Sequence, residues 1–331
     1  MNTRRRLVIA FGAGVLAVPF GSYAQGPETA RHIGILMGFA KDDPEQQLRI
    51  AAFKEGLAAS GWEEGRNLKI DILWTGADVN RASEFARELV ALRPDVIMSS
   101  TTPATSALQR ETKTIPIVFT SVADPVGSGL VKTLARPGGN ITGFINYESS
   151  LVEKWIQLLK EAAPHVTRVA VMFNPRTALY AEYYLRPLKA VAAKLGVTTI
   201  MATVSSEPEI ERIIAGLGRR PGGGLIVLTD SFAFVHRKSI ITLAARNKVP
   251  AIYFSGTMVE DGGLISYGIE IIDLYRRAAR QVDRILRGAK PSELPVEQPT
   301  KFELFVNLKT AKILGIKVPR SILVRADKVI E

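Results

Sequence analysis

Three hydroxyl side chains, Ser100, Thr101 and Thr102, stand together between a short apolar segment and Pro103. The apolar segment, residues 95–98, predicts a buried strand, and the proline predicts the first turn of a helix. Free backbone N–H groups at a helix N-terminus, with hydroxyls beside them, favour an anion such as a carboxylate. A second interpretation is that Thr101 and Thr102 only cap the helix, as these residue types often do.

Two aspartates follow other predicted strands and bring negative charge to the strand ends. Asp230 comes after the apolar segment 224–228, and a buried carboxylate there needs a partner such as a ligand ammonium. The alternative is that Asp230 caps a helix that runs from Phe232 onward. Asp124 precedes Pro125, where it either contacts the ligand or organises a turn. For an amino-acid ligand, Asp230→Ala is expected to lower the affinity by more than ~1.5 kcal/mol.

Aromatic and further polar residues also stand at or near the ends of predicted strands. Five rings are suited to an apolar or stacking wall, although each is also an ordinary core residue. They are Phe39, Tyr147, Phe173, Phe232 and Phe254. A sugar fits less well than an amino acid, because Trp62, Trp74 and Trp155 map to helices and a distal strand.

The residue types at these strand ends predict a small carboxylate-bearing ligand. An amino acid with an aromatic or branched side chain fits them. The candidate ligand-binding residues are Phe39, Ser100, Thr101, Thr102, Ser121, Asp124, Asn174, Asp230 and Phe254.

Strand-like and helix-like segments alternate along the chain and would position these residues. Residues 32–37 form the first predicted strand, and Asp43, Pro44 and Gln46 predict a capped helix that runs to about Ser60. Such βαβ alternation predicts an α/β fold with doubly wound parallel sheets. Ligands of these sheets bind beyond the carboxyl ends of the strands, where the candidate residues stand.

The alternation occurs twice, in two halves whose segments match. Residues 94–100 match residues 223–229 in pattern, and residues 114–121 match residues 248–255 more closely, with a shared proline and a terminal serine. Any two parallel strands look partly alike, but the shared proline and serine favour a paired architecture. Near the C-terminus, an amphipathic helix over Ile271–Leu286 is followed by an extended, proline-rich connector.

The first residues predict an export signal. Arginines at positions 4–6 precede an apolar stretch at 7–20, and Ser22 and Ala24 occupy the −3 and −1 positions of a cut before Gln25. The arginines also resemble a twin-arginine signal, so the export route stays open. The apolar stretch is shorter than the ~20 residues of a membrane-spanning helix.

A dinucleotide fingerprint is the competing interpretation of the same residues. Residues 12–17 match the pattern G-x-G-x-x-A. The fingerprint requires a long helix next, whose N-terminus would hold a pyrophosphate. Pro19 and Gly21 break the chain within two turns, and the export signal is therefore the favoured interpretation.

Composition narrows the chemistry further. The chain of 331 residues has no cysteine and three scattered histidines, which disfavours thiolate and histidine-rich metal sites. No nucleophile elbow or P-loop occurs, and therefore no enzyme activity, metal or cofactor is expected. The chain has a net charge of +11. It contains no motif that reads a base sequence and no cluster of basic and aromatic residues, which disfavours nucleic acid as a partner.

Four motifs occur in a specific order after a strand that ends in Met37 and Gly38. They lie at residues 93–97, 115–119, 121–126 and 136–143, the last two containing Ala-Asp-Pro-Val and Arg-Pro-Gly-Gly-Asn-Ile-Thr-Gly. In these motifs the chain resembles the substrate-binding proteins of ABC importers, in their tryptophan/tyrosine-binding-type family. The likeness covers essentially the whole mature chain. It implies a type I periplasmic-binding fold, with two lobes, a three-crossover hinge and a ligand in the cleft.

The resemblance also implies where the lobes begin and end. Residues 1–24 would be the signal peptide. The first lobe would comprise residues 25–146 and approximately 262–296, and the second lobe residues 147–261 and approximately 297–331. Crossovers are expected near residues 145–149, 258–264 and 294–300.

The implied function is that of a periplasmic binding component that delivers its ligand to an ABC permease in the inner membrane, with its ATPase. The protein is expected to be a monomer without a lipid anchor, since it has no cysteine. A periplasmic ligand sensor of a signalling system is the alternative, and a sugar-type α/β enzyme is less favoured. A repressor is disfavoured by the export signal and by the lack of a DNA-binding helix pair before His32.

Overall fold

The structure is a computed structural model that describes residues 30–146, 148 and 150–331. The expected signal peptide, residues 1–24, and the candidate wall residue Tyr147 lie outside the described residues. Within these residues, no helix combines the length and the apolar character that crossing a bilayer requires.

Two sheets organise the chain, one in each lobe. The first sheet contains β1 (Arg31–Met37), β2 (Leu68–Trp74), β3 (Val96–Ser100), β4 (Ile117–Val122) and β5 (Ile141–Ile145). The second contains β6 (Arg168–Phe173), β7 (Thr198–Thr203), β8 (Gly223–Val227), β9 (Ala251–Tyr253), β10 (Ile265–Ile269), β11 (Phe302–Asn307) and β12 (Lys328–Ile330). The strand orders are β2-β1-β3-β4-β5 and β12-β11-β10-β9-β8-β6-β7.

Helices cover both faces of each sheet. In chain order they are α1 (Pro44–Ala59), α2 (Val79–Ala91), α3 (Thr102–Glu111), α4 (Ser150–Ala162), α5 (Ala181–Lys194), α6 (Glu207–Gly218), α7 (Ser231–Val235), α8 (Arg237–Arg246), α9 (Gly256–Glu260), α10 (Ile271–Leu286), α11 (Leu308–Leu314) and α12 (Arg320–Leu323). A short 3₁₀ turn occupies Pro291–Glu293.

The predicted pairing of the two halves is confirmed. The order β2-β1-β3-β4-β5 in the first sheet is repeated as β7-β6-β8-β9-β10 in the second. The sequence matches therefore align β3 with β8 and β4 with β9. The predicted α/β fold with two lobes is confirmed with one difference, because β11 runs antiparallel to β10 in a sheet that is otherwise parallel.

Alternation along β1 shows how the first lobe builds its core. Ile33, Ile35 and Met37 point to the face that α1 and α10 cover, while Leu36 packs among residues of α2 and α3 on the other face. Strands buried on both faces read as continuous apolar runs, as β1 does. The carboxyl ends of these strands are left free to meet the other lobe.

Helix α1 begins as predicted, with one correction. Asp43 is its N-cap, and its Oδ1 accepts a hydrogen bond from the Glu45 N–H at 3.0 Å. Gln46, predicted to complete a capping box, is fully buried instead. The helix therefore starts with a single side-chain cap and turns Gln46 inward.

The passages between the lobes differ from the predicted ones at one place. Residues 262–269, assigned from the sequence to the first lobe, include β10, which pairs with β9 and β11 in the second sheet. Gly262 and Gly263 form the turn that leads from α9 into β10 rather than a crossover. The chain crosses next at Glu270, whose N–H donates to the Lys301 carbonyl where the chain returns.

Candidate ligand-binding site

A cleft lies between the lobes at the carboxyl ends of both sets of strands. The first lobe contributes Phe39, Arg49, Thr101, Thr102 and Ser121 to its lining. The second lobe contributes Trp155, Thr177, Tyr180, Asp230, Phe234 and Phe254, and Asn146 lies where the first crossing begins. This is the edge of the sheets at which doubly wound folds bind ligands.

The first-lobe wall presents polar groups that have no partner within the described part of the chain. These groups are Thr102 Oγ1 and Ser121 Oγ, both buried, together with Oδ1 of Asn146. Thr101 is the N-cap residue of α3 but makes no side-chain cap hydrogen bond. Helix capping, the second interpretation of Thr101, is therefore wrong. Because buried polar groups are nearly always paired, these atoms are available to hydrogen-bond a molecule in the cleft.

Two residues of this wall, Thr101 and Ser121, have unusual backbone conformations. Thr101 has φ 78° and ψ 151°, a region that residues other than glycine rarely adopt. Ser121 has φ 54° and lies at an irregularity in the pairing of β4 with β5. Such strain costs of order 1–3 kcal/mol per residue and clusters at functional sites.

Gly38 leaves the space that Thr101 needs. A Cβ at position 38 would lie 2.3 Å from Thr101 Oγ1 and 2.9 Å from the Ser100 carbonyl oxygen. Ser100, a predicted ligand contact, does not line the cleft. Its Oγ accepts a hydrogen bond from the Gly38 N–H at 2.9 Å, and the hydroxyl therefore fixes the end of β1.

The second-lobe wall is built around Asp230, which is 2% exposed. Its Oδ2 accepts a hydrogen bond from the Asn174 N–H at 2.8 Å, and its Oδ1 accepts from Thr177 Oγ1 and from the Phe232 N–H. Asp230 thus caps α7, as one of its two interpretations predicts, and it also lines the cleft. Asn174 does not line this cleft and instead positions the carboxylate.

Burial makes the ionised form of Asp230 less favourable than it is in water. Burial raises the pKa of this carboxyl to about 6, although hydrogen bonds from Thr177 and the nearby backbone favour the ionised form. These donors are uncharged, and among the described residues Asp230 forms no salt bridge. A cationic group placed in the cleft would therefore find a buried carboxylate already oriented.

Aromatic rings from both lobes form the apolar wall. Phe39 of the first lobe packs edge-on against Phe234 of the second, with ring centroids 5.5 Å apart. Phe254 lies 6.2 Å from Phe234. The Arg49 guanidinium stands 5.0 Å from the Phe39 ring centroid and 5.4 Å from that of Phe234. Arg49 is buried and ion-paired with Glu45, one turn earlier on α1.

Two further aromatic residues line the cleft, and the polar atom of each side chain donates a hydrogen bond to a backbone carbonyl. Trp155 Nε1 donates to the Tyr267 carbonyl at 2.6 Å, and Tyr180 Oη donates to the Thr229 carbonyl. Burial raises the pKa of Tyr180, which keeps its phenol protonated as a donor. Trp155 lies on a helix, α4, as predicted, but it also lines the cleft. The positions of the tryptophans therefore do not argue against a sugar.

Other predicted residues lie elsewhere. Asp124 accepts a hydrogen bond from the Gly127 N–H at 2.8 Å and lies in a surface groove near the first crossing, as its turn-forming interpretation predicts. Phe173 is packed in the second-lobe core. Phe232 lies against His236, with ring centroids 4.3 Å apart. These three side chains do not line the cleft.

Arg49 and Phe234 are the main contributors that sequence reasoning missed. A charged residue within a helix is normally solvent-exposed, and only the packing of α1 against the cleft shows otherwise for Arg49. Phe234 lies within the short helix α7, which follows Asp230. The apolar run after Asp230 was the available signal for it.

Two α/β lobes, three crossings and a cleft between facing strand ends define a binding protein of the type I periplasmic fold. The chain matches the ABC transporter substrate binding protein family over residues 32–330 and belongs to that family. It is 29% identical over 265 residues to a tyrosine-binding protein from Clostridioides difficile, covering 80% of this chain and 76% of that protein.

Two solved structures are similar to this chain over most of its length. An ABC domain in complex with L-Trp from Streptococcus pneumonia matches with a TM-score of 0.84 at 28% identity, covering 91% of this chain and 100% of that one. A ligand-free, open substrate-binding protein from Clostridium difficile matches with a TM-score of 0.67, also at 28% identity, covering 91% and 99%. At equal identity, this chain is therefore more similar in structure to the L-Trp complex than to the ligand-free, open structure.

Proposed function

We propose that this protein binds an aromatic L-amino acid in its cleft and delivers it to an ABC permease. The observation that carries the proposal is the placement of an oriented carboxylate, Asp230, across an aromatic-lined cleft from the hydroxyls of Thr102 and Ser121. A zwitterion with an apolar ring satisfies all three features at once. The relatives described above as tyrosine-binding and as an L-Trp complex support the same class.

The two ends of the zwitterion receive unequal support. Of the described residues that line the cleft, Arg49 and Asp230 carry charge, and Arg49 is already paired with Glu45. The ligand ammonium therefore meets a full opposite charge at Asp230. The ligand carboxylate meets neutral donors, the hydroxyls and the N-terminal N–H groups of α3, whose dipole adds only about 0.3–1 kcal/mol at exposed sites.

Calorimetric titration with a set of analogues tests this assignment. L-Trp, L-Tyr and L-Phe should bind more tightly than L-Leu, because the wall offers rings for stacking. Tryptamine, which lacks the carboxylate, should lose less affinity than indole-3-propionate, which lacks the ammonium. Tighter binding of indole-3-propionate than of tryptamine would reverse the proposed orientation, and lack of binding by every amino acid would refute the function.

Delivery to a permease places the protein in the periplasm, as the N-terminal signal predicts. Loss of the protein from its host should lower uptake of the labelled amino acid. Supplying the Asp230→Asn variant should not restore uptake, whereas supplying Asp124→Asn should. Normal uptake without the protein would favour the sensor role instead.

A further inference from the structure

A buried ion pair joins the two lobes outside the ligand cleft. Arg237, the first residue of α8, extends from the second lobe to Asp43, the N-cap of α1 in the first. Arg237 Nη1 donates to Asp43 Oδ2 at 2.5 Å, and the two side chains are 7% and 11% exposed. Arg237 Nε also donates to Asp261 Oδ2 at 2.7 Å within its own lobe. One guanidinium thus binds one carboxylate in each lobe.

The pair lies directly behind the interlobe part of the aromatic wall. The Arg237 guanidinium stands 4.3 Å from the Phe234 ring centroid, and its Nη1 donates to the Phe234 carbonyl at 3.1 Å. Phe234 in turn packs against Phe39 of the first lobe. Neither Asp43 nor Arg237 lines the cleft, so neither would contact a ligand there.

We propose that the Asp43–Arg237 pair determines affinity by stabilising the closed arrangement, without contacting the ligand. The pair requires the lobes to be close together, whereas the Arg237–Asp261 pair survives opening because both residues belong to one lobe. A ligand that binds the closed form loses affinity in proportion to the closed fraction. The proposal takes from the proposed function only that ligand binds in the cleft.

The two aspartates provide matched variants. Asp43→Asn and Asp261→Asn each remove one negative charge beside the same guanidinium, but only the first removes an interlobe pair. Asp43 also caps α1 through Oδ1, and Asn keeps that ability. Asp43→Ser is a second variant that retains a capping oxygen and lacks a group long enough to pair with Arg237.

Energy transfer between two dyes measures closure directly, with no ligand present. The chain has no native cysteine, so Glu84→Cys and Glu211→Cys can be labelled specifically. Both positions are exposed, one on α2 of the first lobe and one on α6 of the second. Asp43→Asn and Asp43→Ser should shift the ligand-free population toward longer distances, whereas Asp261→Asn should leave the distribution within error of the parent protein.

Titration with L-Trp and L-Tyr then gives the consequence for affinity. Both Asp43 variants should weaken binding of the two ligands by the same factor, about tenfold, since only the closed fraction changes. Unchanged distances in both Asp43 variants, or an equal shift in Asp261→Asn, would overturn the proposal. Because the distances are measured without ligand, they decide this point even if neither amino acid binds.

Discussion

The junctions after β3 and β8 occupy the same place in the two lobes but are built differently. In the first lobe, Thr101 precedes α3 with φ 78° and leaves the helix without a side-chain cap. In the second, Asp230 precedes α7 with φ −152° and caps it through the Phe232 N–H. The same contrast separates Ser121, with φ 54°, from its counterpart Ser255, with φ −135°.

Under the proposed function, this contrast means that the two lobes recognise different ends of the ligand. The first lobe keeps strained backbone and hydroxyls that have no partner among the described residues. The second lobe holds a carboxylate that its own backbone already orients. The proposal thus assigns an anion-binding end to one copy of a duplicated topology and a cation-binding end to the other.

Replacing the charged end should have the largest effect. Asp230→Asn keeps the shape of the side chain but removes its charge, and we expect affinity for L-Trp to fall by at least about 2 kcal/mol, roughly thirtyfold. Calorimetry measures the loss, and Asp124→Asn is the matched control outside the cleft. Asn is the better test than Ala, because its one amide oxygen can still accept from the Phe232 N–H, whereas Ala would leave both the Phe232 and the Asn174 N–H groups unpaired. If the Asp230→Asn variant retained its affinity, the Asp230 carboxylate would not contact the ligand.

Protonation should weaken the same contact reversibly. Because the pKa of Asp230 in the free protein is about 6, lowering the pH from about 7 to about 5 should reduce affinity about tenfold, the free-energy equivalent of one pKa unit. Titrations across this range measure the effect. The Asp230→Asn variant should show a flat profile, and a wild-type profile equally flat would contradict the assignment.

The raised pKa of Asp230 also determines how the stability of the free protein changes with pH. Folding favours protonated Asp230, so its stabilising contribution is present below about pH 3.8 and is lost as the pH rises through about 6. The difference in free energy of unfolding between the wild type and Asp230→Asn should therefore shift against the wild type across this window. Urea unfolding of the ligand-free proteins at several pH values measures it.

The smallest expected effect concerns the neutral end. Thr102→Val removes a hydroxyl that has no partner in the described structure. We expect ligand affinity to fall by about 1 kcal/mol, roughly fivefold, while the free protein unfolds at an unchanged or higher temperature. Calorimetry and thermal unfolding together separate the two quantities.

Thr177→Val sharpens the comparison from the other lobe. Its hydroxyl donates to Asp230 within the folded protein, so its removal should lower the unfolding temperature without any ligand. A stability loss in Thr102→Val equal to that in Thr177→Val would show that the lobes do not differ in this way.

Much of the fold could be predicted because its signals are local. Helix α10 spans the predicted Ile271–Leu286, and the proline-led matches align β4 with β9. The exception is β10, where the family resemblance led us to expect a crossover near residues 258–264. β10 belongs to the second lobe because it pairs with β9 and β11. Such pairing between distant segments cannot be recognised from a local sequence pattern.

The site was predicted by residue type but not by contact. The strand-end rule brings Thr101, Thr102 and Asp230 to the cleft, yet it also selects Ser100, whose hydroxyl is taken by the Gly38 N–H. That difference depends on the register between β1 and β3. Arg49 was missed because it does not follow a strand. It reaches the cleft only through the packing of α1.

Helix α10 has a consequence for how the protein is made. Its residues Leu274, Tyr275 and Ala278 share a core with Ile33 and Phe53, far earlier in the chain. A ribosome that has completed β5 has released every strand of the first sheet and α1, but not α10, which covers the same face of the sheet as α1. Closing so long a loop is slow. The lobe that begins first is therefore expected to complete its core only after most of the second lobe has been synthesised.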